Sequence, residues 1–171
     1  MSLSVGAAGF GRLATIPGWS VPSAGVGPSL ALRGHVGIVG IEVRGTLGAG
    51  IVVGYGNLTL VASYPALVGS LPMASLPLSL RADLDDGSEV LLSAGPFVAF
   101  VHNQSVDYGP LNTVETGLQP GIAWAGTVAG ARYEVRADVP VAVSRNFIDV
   151  ALLVTASLRL DVCCAPPADT R

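Results

Sequence analysis

An all-β, antiparallel fold of the jelly-roll type, a single-domain sandwich or barrel of about eight strands, is what this sequence predicts. Three observations predict it. Hydrophobic and polar residues alternate with a period of two along most of the chain, turn signals punctuate the alternating runs, and no window carries convincing 3.6-residue spacing. At 171 residues the chain fits one domain.

Residues 1–34 hold Pro17, Pro22 and Pro28 among many glycines and no sustained period, which reads as an extended N-terminal arm or a set of loops. The barrel domain is expected over 35–164, with strands near 36–47, 50–63, 76–84, 88–94, 96–103, 121–128, 131–144 and 147–163. The clearest run is 131–139. Ala131, Tyr133, Val135, Ala137 and Val139 fall on one face, and Arg132, Glu134, Arg136 and Asp138 on the other. Ile41, Val43 and Leu47 alternate in the same way with Glu42, Arg44 and Thr46, and Leu158, Leu160 and Val162 with Ser157, Arg159 and Asp161. The apolar face of each run is expected in a core and the polar face in water. Asp85-Asp86-Gly87-Ser88 reads as a hairpin turn, and Tyr108-Gly109-Pro110 and Gln119-Pro120-Gly121 punctuate a long loop over 103–120. Residues 165–171, with Pro166 and Pro167, read as a short tail.

The composition bears on function. Hydrophobic residues make up 50% of the chain and charged residues 12%, about half the usual share near 25%. A folded monomer of this mass exposes roughly 7,800 Å², which leaves about one charge per 370 Å². Such a surface is expected to be covered, by sister subunits, a partner or lipid. Nine arginines, no lysine and a net charge of −3, without a basic run, argue against nucleic-acid binding. Met1–Gly11 shows no basic segment followed by an apolar one, so no secretory signal is read there. Residues 45–80 are uncharged, but Pro65, Pro72 and Pro77 rule against a spanning helix. A transmembrane β-barrel is set aside because aromatic girdles are needed and aromatics are 6% of the chain.

Candidate chemistry is sparse. His35 and His102 lack spaced metal ligands, and adjacent Cys163 and Cys164 point to opposite faces of a strand. Gly48, Gly50, Gly54 and Gly56 have the wrong spacing for a dinucleotide loop and suit close backbone approach in a sheet. Asp85, Asp86 and Glu89 could offer oxygen to calcium, but read as a solvated turn. Asn57-Leu58-Thr59 and Asn103-Gln104-Ser105 match the glycosylation pattern by chance. Trp19, Trp124, Tyr55, Tyr64, Tyr108 and Tyr133 are the large amphipathic rings, expected in a core or an intersubunit contact. No catalytic residue, metal, cofactor or small-molecule substrate is expected.

Pro96-Phe97-Val98-Ala99-Phe100-Val101 and Phe147-Ile148-Asp149-Val150-Ala151-Leu152-Leu153-Val154 are the lines that carry a family likeness. With the arm, the strand number and the low charge, the chain resembles the small major capsid proteins of tailless, internal-membrane icosahedral phages, built on one upright β-barrel. The tight Asp85–Ser88 turn departs from a jelly roll, which crosses between sheets at that place. The resemblance implies a structural shell subunit of a virion, assembled in the host cytoplasm. Its partners would be copies of itself, a second shell protein and an internal membrane. The Arg132 and Arg136 face would set register between subunits. Two other readings fit the same text: a surface or secreted β-sandwich module binding sugar or protein, and a phage decoration or tail protein. A cupin-type enzyme would need more histidines than His35 and His102.

Overall fold

Ten strands pair into one antiparallel sheet in a computed structural model, which describes residues 1–16, 19–52, 68–105, 109–143 and 148–161. They are β1 (Ser2–Ile16), β2 (Trp19–Val36), β3 (Val39–Val52), β4 (Val68–Ser75), β5 (Leu78–Asp83), β6 (Glu89–Ser105), β7 (Gly109–Val128), β8 (Ala131–Asp138), β9 (Val141–Val143) and β10 (Ile148–Asp161). β1, β2 and β3 pair in sequence order, as do β6, β7 and β8, and β10 returns to pair with β1 from Ser2↔Asp161 to Thr15↔Ile148. That last ladder closes the sheet on itself, so each described strand has a partner on both sides.

The ten strands make eight staves. β4 and β5 run end to end between β3 and β6, and β8 and β9 run end to end between β7 and β10. Both interruptions fall at a proline, Pro77 and Pro140, which has no N–H to give to a ladder. Neighbouring backbone bridges each gap: Leu76 N–H donates to the Pro96 carbonyl at 3.0 Å, and Val139 N–H to the Pro120 carbonyl at 2.8 Å.

Three hairpin turns and the start of β1 share one end of the barrel, called here the turn end. Each turn has its own chemistry. Gly37 takes φ +63° at the first position of the two-residue Gly37-Ile38 turn. Ala129 and Gly130 both take positive φ, 51° and 82°, the pattern of a type I′ hairpin. Gly87, at φ +78°, follows Asp85 and Asp86 in a three-residue loop closed by Leu84 N–H on the Ser88 carbonyl at 2.9 Å.

The architecture corrects several expectations. The fold is all-β and antiparallel, but it is one closed up-and-down sheet instead of a two-sheet jelly-roll sandwich. The supposed arm over 1–34 forms β1 and nearly all of β2. Its glycines and prolines hide the period, but Gly11 meets nothing a Cβ would strike, and paired strands accept them. The supposed loop over 103–120 lies mostly in β6 and β7, which pair from Glu89↔Ala125 to Ser105↔Gly109. The expected break at Gly95-Pro96 is absent, because Pro96 points outward inside the continuous β6. The remainder of the strand expected over 50–63 beyond Val52, and the tail over 165–171, lie outside the described residues.

Candidate functional site: a charged lumen inside an apolar wall

The alternating pattern is present, with its faces exchanged. On β3, Glu42 and Arg44 are buried at 1% and 2% exposure, while Ile41 and Val43 are more than half exposed. On β8, Glu134, Arg136 and Asp138 are buried and Tyr133 and Val135 are exposed. A period of two places two sets of residues on opposite faces and is symmetric between inside and outside. The physical reason for the exchange is the space available. An eight-staved barrel has an interior just wide enough to be filled by side chains, and the buried side chains here are mainly Ser, Thr, Arg, Glu, Asp, Ala and Gly.

Charge fills the middle of the lumen. Arg33 of β2 lies between two carboxylates, donating Nη1 and Nη2 to Glu134 at 2.8 and 2.9 Å and Nε to Glu42 at 2.5 Å. Arg44 donates Nε to Glu42 at 2.8 Å and sits 3.3 Å from Asp138. Arg136 grips Asp138 at 2.8 Å, reaches Glu42 at 3.4 Å and contacts Ser93. Three cations and three anions from β2, β3 and β8 balance here, and their side chains are no more than 2% exposed. A buried charge is tolerated when it is paired and hydrogen-bonded in this way.

Other layers lie on either side. Ala8, Met73, Phe97, Ala99, Ala142 and Leu153 form an apolar cluster with Phe10 against it. Next to it Arg12 of β1 pairs with both Glu115 of β7 and Asp149 of β10, around a cavity of about 20 Å³ shared with Met73, Phe97 and Ala142. That volume admits about one water. Toward the turn end, Glu89 pairs with Arg132 and Arg159, each at 2.6 Å, and Arg132 reaches Asp161 at 3.0 Å.

The outer wall is the opposite. Leu30, Leu32, Leu78, Leu80, Leu92, Leu118, Ile122, Leu152 and Leu160 are all exposed. Among the residues whose side chains are described, no Asp, Glu or Arg takes an outward position in the body of a strand. On β10 the outward row runs Ile148, Val150, Leu152, Val154, Ala156, Leu158, Leu160. Its 12 residue steps span roughly 40 Å along the strand, or about 30 Å at the usual barrel tilt. The apolar band of a membrane barrel is about 25 Å tall.

The residues singled out in sequence scatter. His35 lies inside the turn end. Asp85 and Asp86 cap a turn, and Glu89 belongs to the ion pairs above. Trp124 and Tyr133 face outward on adjacent strands near the turn end, while Trp19 opens β2 at the other end. Gly48 and Gly50 sit in β3, and Asn103 in β6 with His102. Tyr55, Tyr64, Tyr108, Gly54, Gly56, Asn57, Cys163 and Cys164 lie outside the described residues. Arg132 and Arg136, expected at a subunit rim, turn into the lumen. No group of three or more His, Cys, Asp or Glu is placed to hold a metal among the described residues, and no helix among them is long and apolar enough to cross a membrane. Sequence reasoning missed Arg33, Glu42, Arg44 and Glu134 as a unit. The signal available was that nearly every charge between residues 30 and 160 occupies the same parity of its run.

A closed antiparallel barrel with a charged lumen and an apolar wall has the polarity of a transmembrane β-barrel. Solved structures share this fold. Neisserial surface protein A matches with a TM-score of 0.60 at 11% identity, over 94% of this chain and 98% of that one. Ail, the attachment invasion locus protein of Yersinia pestis, matches with 0.55 at 11% identity, over 93% and 98%. The outer membrane protein OprG of Pseudomonas aeruginosa matches with 0.55 at 8% identity, over 93% and 95%. No family model matches the chain, and no curated protein matches it in sequence.

These likenesses overturn the capsid reading. The neighbours are outer membrane barrels and not the jelly rolls of phage shells, so the resemblance to a capsid protein, the shell-subunit function, the virion location and the shell partners all fall. The alternatives of a soluble binding module or a decoration or tail protein find no support either. The uncovered apolar surface that prompted them is the wall of a barrel. The aromatic share misled because a girdle depends on where rings stand, and Trp124 and Tyr133 stand together at one rim.

Proposed function

We propose that this chain is an integral protein of a bacterial outer membrane, crossing the bilayer as an eight-staved barrel whose lumen is plugged. The observation that carries the reading is the exchanged polarity: leucine, valine and isoleucine on the wall and paired arginines and carboxylates inside. Lipid accepts such a wall, and closure by the β1–β10 ladder pairs the backbone of the first and last described strands as a membrane-spanning sheet requires. The turn end, with its short hairpins, is the periplasmic end by the usual asymmetry of such barrels, and the strand ends Ile16, Val52, Ser105 and Val143 stand toward the cell exterior. The Arg33–Glu42–Arg44–Glu134–Arg136–Asp138 network closes the lumen to hydrated ions. The role is therefore a rigid, non-catalytic scaffold anchored in the membrane that carries no open pore.

Refolding from urea into phospholipid vesicles tests this. The expected result is an unboiled species that migrates apart from the boiled one on a gel, rich in β-structure, with no ion conductance above that of empty bilayers. A monomer soluble without lipid or detergent overturns the membrane reading. Steady conductance by the folded species overturns the plug.

A further inference from the structure

We propose that the turn-end mouth of the lumen binds a small oxyanion of phosphate chemistry. The mouth is a ring of inward side chains from staves that otherwise satisfy one another, yet several polar groups here have no partner. Both ring nitrogens of His35 are buried without a hydrogen bond, and so are the hydroxyls of Ser79 and Ser2 and the Nε of Arg159. Ser79 and Ser2 are each 2% exposed and Arg159 6%. An imidazole, two hydroxyls and a guanidinium N–H left unpaired out of water are a costly arrangement, and such groups in native proteins have a partner that is a water or a ligand.

His35 and Ser79 also stand together. A Cβ on Gly40 would lie 2.6 Å from both His35 Nδ1 and Ser79 Oγ, so the imidazole and the hydroxyl border the space that this glycine leaves on β3. The charged groups bearing on His35 are Arg33, Arg159, Arg81 and one carboxylate, Glu89. Arg33 is committed to Glu42 and Glu134 in the middle of the barrel. Arg159 gives Nη1 to Glu89 at 2.6 Å, while its Nε stands 3.9 Å from Asp161, beyond hydrogen-bond reach. Arg81 pairs at 3.1 Å with Asp83, whose side chain is 62% exposed, and Asp161 is 48% exposed. Inside the mouth Arg159 and Glu89 balance, and the donors left over are the His35 ring, the Ser79 and Ser2 hydroxyls and the Arg159 Nε–H. Oxyanions accept hydrogen bonds from that donor set, and guanidinium N–H groups are the stronger of them.

The test titrates inorganic phosphate, at constant ionic strength in chloride, into the barrel refolded in an alkyl glucoside. Ring resonances of His35 are followed in the His102→Gln background, which leaves one histidine. Migration of the unboiled species reports folding separately, so a folded barrel that ignores phosphate sinks the site and leaves the membrane reading standing. The expected result is a saturable shift, weakened roughly tenfold in Arg159→Gln and lost in Gly40→Ala, where the new methyl displaces His35 and Ser79. Ser79→Ala gives a second reading should either variant fail to fold. A shift produced by short-chain phosphatidylglycerol and not by phosphate assigns the site to a lipid headgroup instead of a free anion. No saturable shift with either, or equal shifts in Arg159→Gln and Ser79→Ala, overturns the proposal.

Discussion

Two ion networks sit in the same lumen and are built on different terms. The central one joins Arg33, Arg44 and Arg136 to Glu42, Glu134 and Asp138, three cations against three anions, with side chains at most 2% exposed. The other, beyond the Phe97–Met73–Leu153 layer, sets Arg12 alone between Glu115 and Asp149, with side chains 4–12% exposed and a water-sized cavity beside them. The difference teaches how a narrow barrel stores charge. In the central network the charges balance and every guanidinium has a carboxylate. Where they do not balance, space for water remains to hydrate the surplus.

The largest expected effect breaks the balanced network. Arg33→Met leaves Glu42 and Glu134 facing each other with one cation fewer, and unpairing a buried charge costs about 3–5 kcal/mol. Urea unfolding in vesicles measures it. A loss no larger than that of an Arg12→Met variant would remove the distinction between the two networks. Next comes the wall that both networks rely on. Leu118→Arg places a charge outward in the middle of β7, where Leu118 is 56% exposed, and a mid-wall arginine costs about 2–4 kcal/mol in lipid. The same substitution at Leu84, beside the Asp85 turn, costs at most about 1 kcal/mol, as expected near an interface. Equal effects at both places would contradict a wall immersed in lipid.

How much of this the sequence carried depends on which physical fact each residue reports. Alternation at 131–138 and 41–47 is legible because the strand period is fixed by backbone geometry, and those strands are where the text puts them. The hairpin at Asp85–Ser88 is legible because glycine at φ +78° writes itself into sequence. The direction of Glu42 and Arg44 is not, since parity is the same in a soluble sandwich and in a membrane barrel. What breaks the tie is solvent, which no residue names, or charge summed over all runs at once. β1 and β2 were hidden for another reason. Gly6 opposes Ser157 so closely that a Cβ would lie 2.1 Å from the Ala156 carbonyl oxygen, so the small residue that blurs the pattern is the one the packing requires. Closure itself pairs Ser2 with Asp161, and nothing local to either end announces it.

A sharper use of the comparison removes one carboxylate from each network. Glu134→Gln takes a partner from Arg33 and Arg44 and is expected to destabilise, as any unpaired buried charge does. Glu115→Gln takes away the surplus anion and leaves Arg12 with Asp149, so stability is expected to change by less than about 1 kcal/mol. Chemical unfolding of the two variants side by side decides the matter. A Glu115→Gln loss as large as that of Glu134→Gln would mean that both carboxylates are needed to hold Arg12.

The smallest effect lies outside both networks, at the turn end. Asp86 accepts the Ser88 N–H at 2.9 Å and the Ser88 hydroxyl at 2.6 Å, and these bonds hold its carboxyl below the usual aspartate range. A carboxyl depressed by folding favours the folded state above its unfolded value, and that contribution fades as pH falls through the lowered one. Wild-type stability is therefore expected to exceed that of Asp86→Asn slightly at neutral pH, with the gap closing in acid below the ordinary aspartate range. Unfolding midpoints across that range measure the gap. Because the turn stands in water and away from the lumen, the gap should also be unchanged in the Glu115→Gln background, as additivity between distant sites requires.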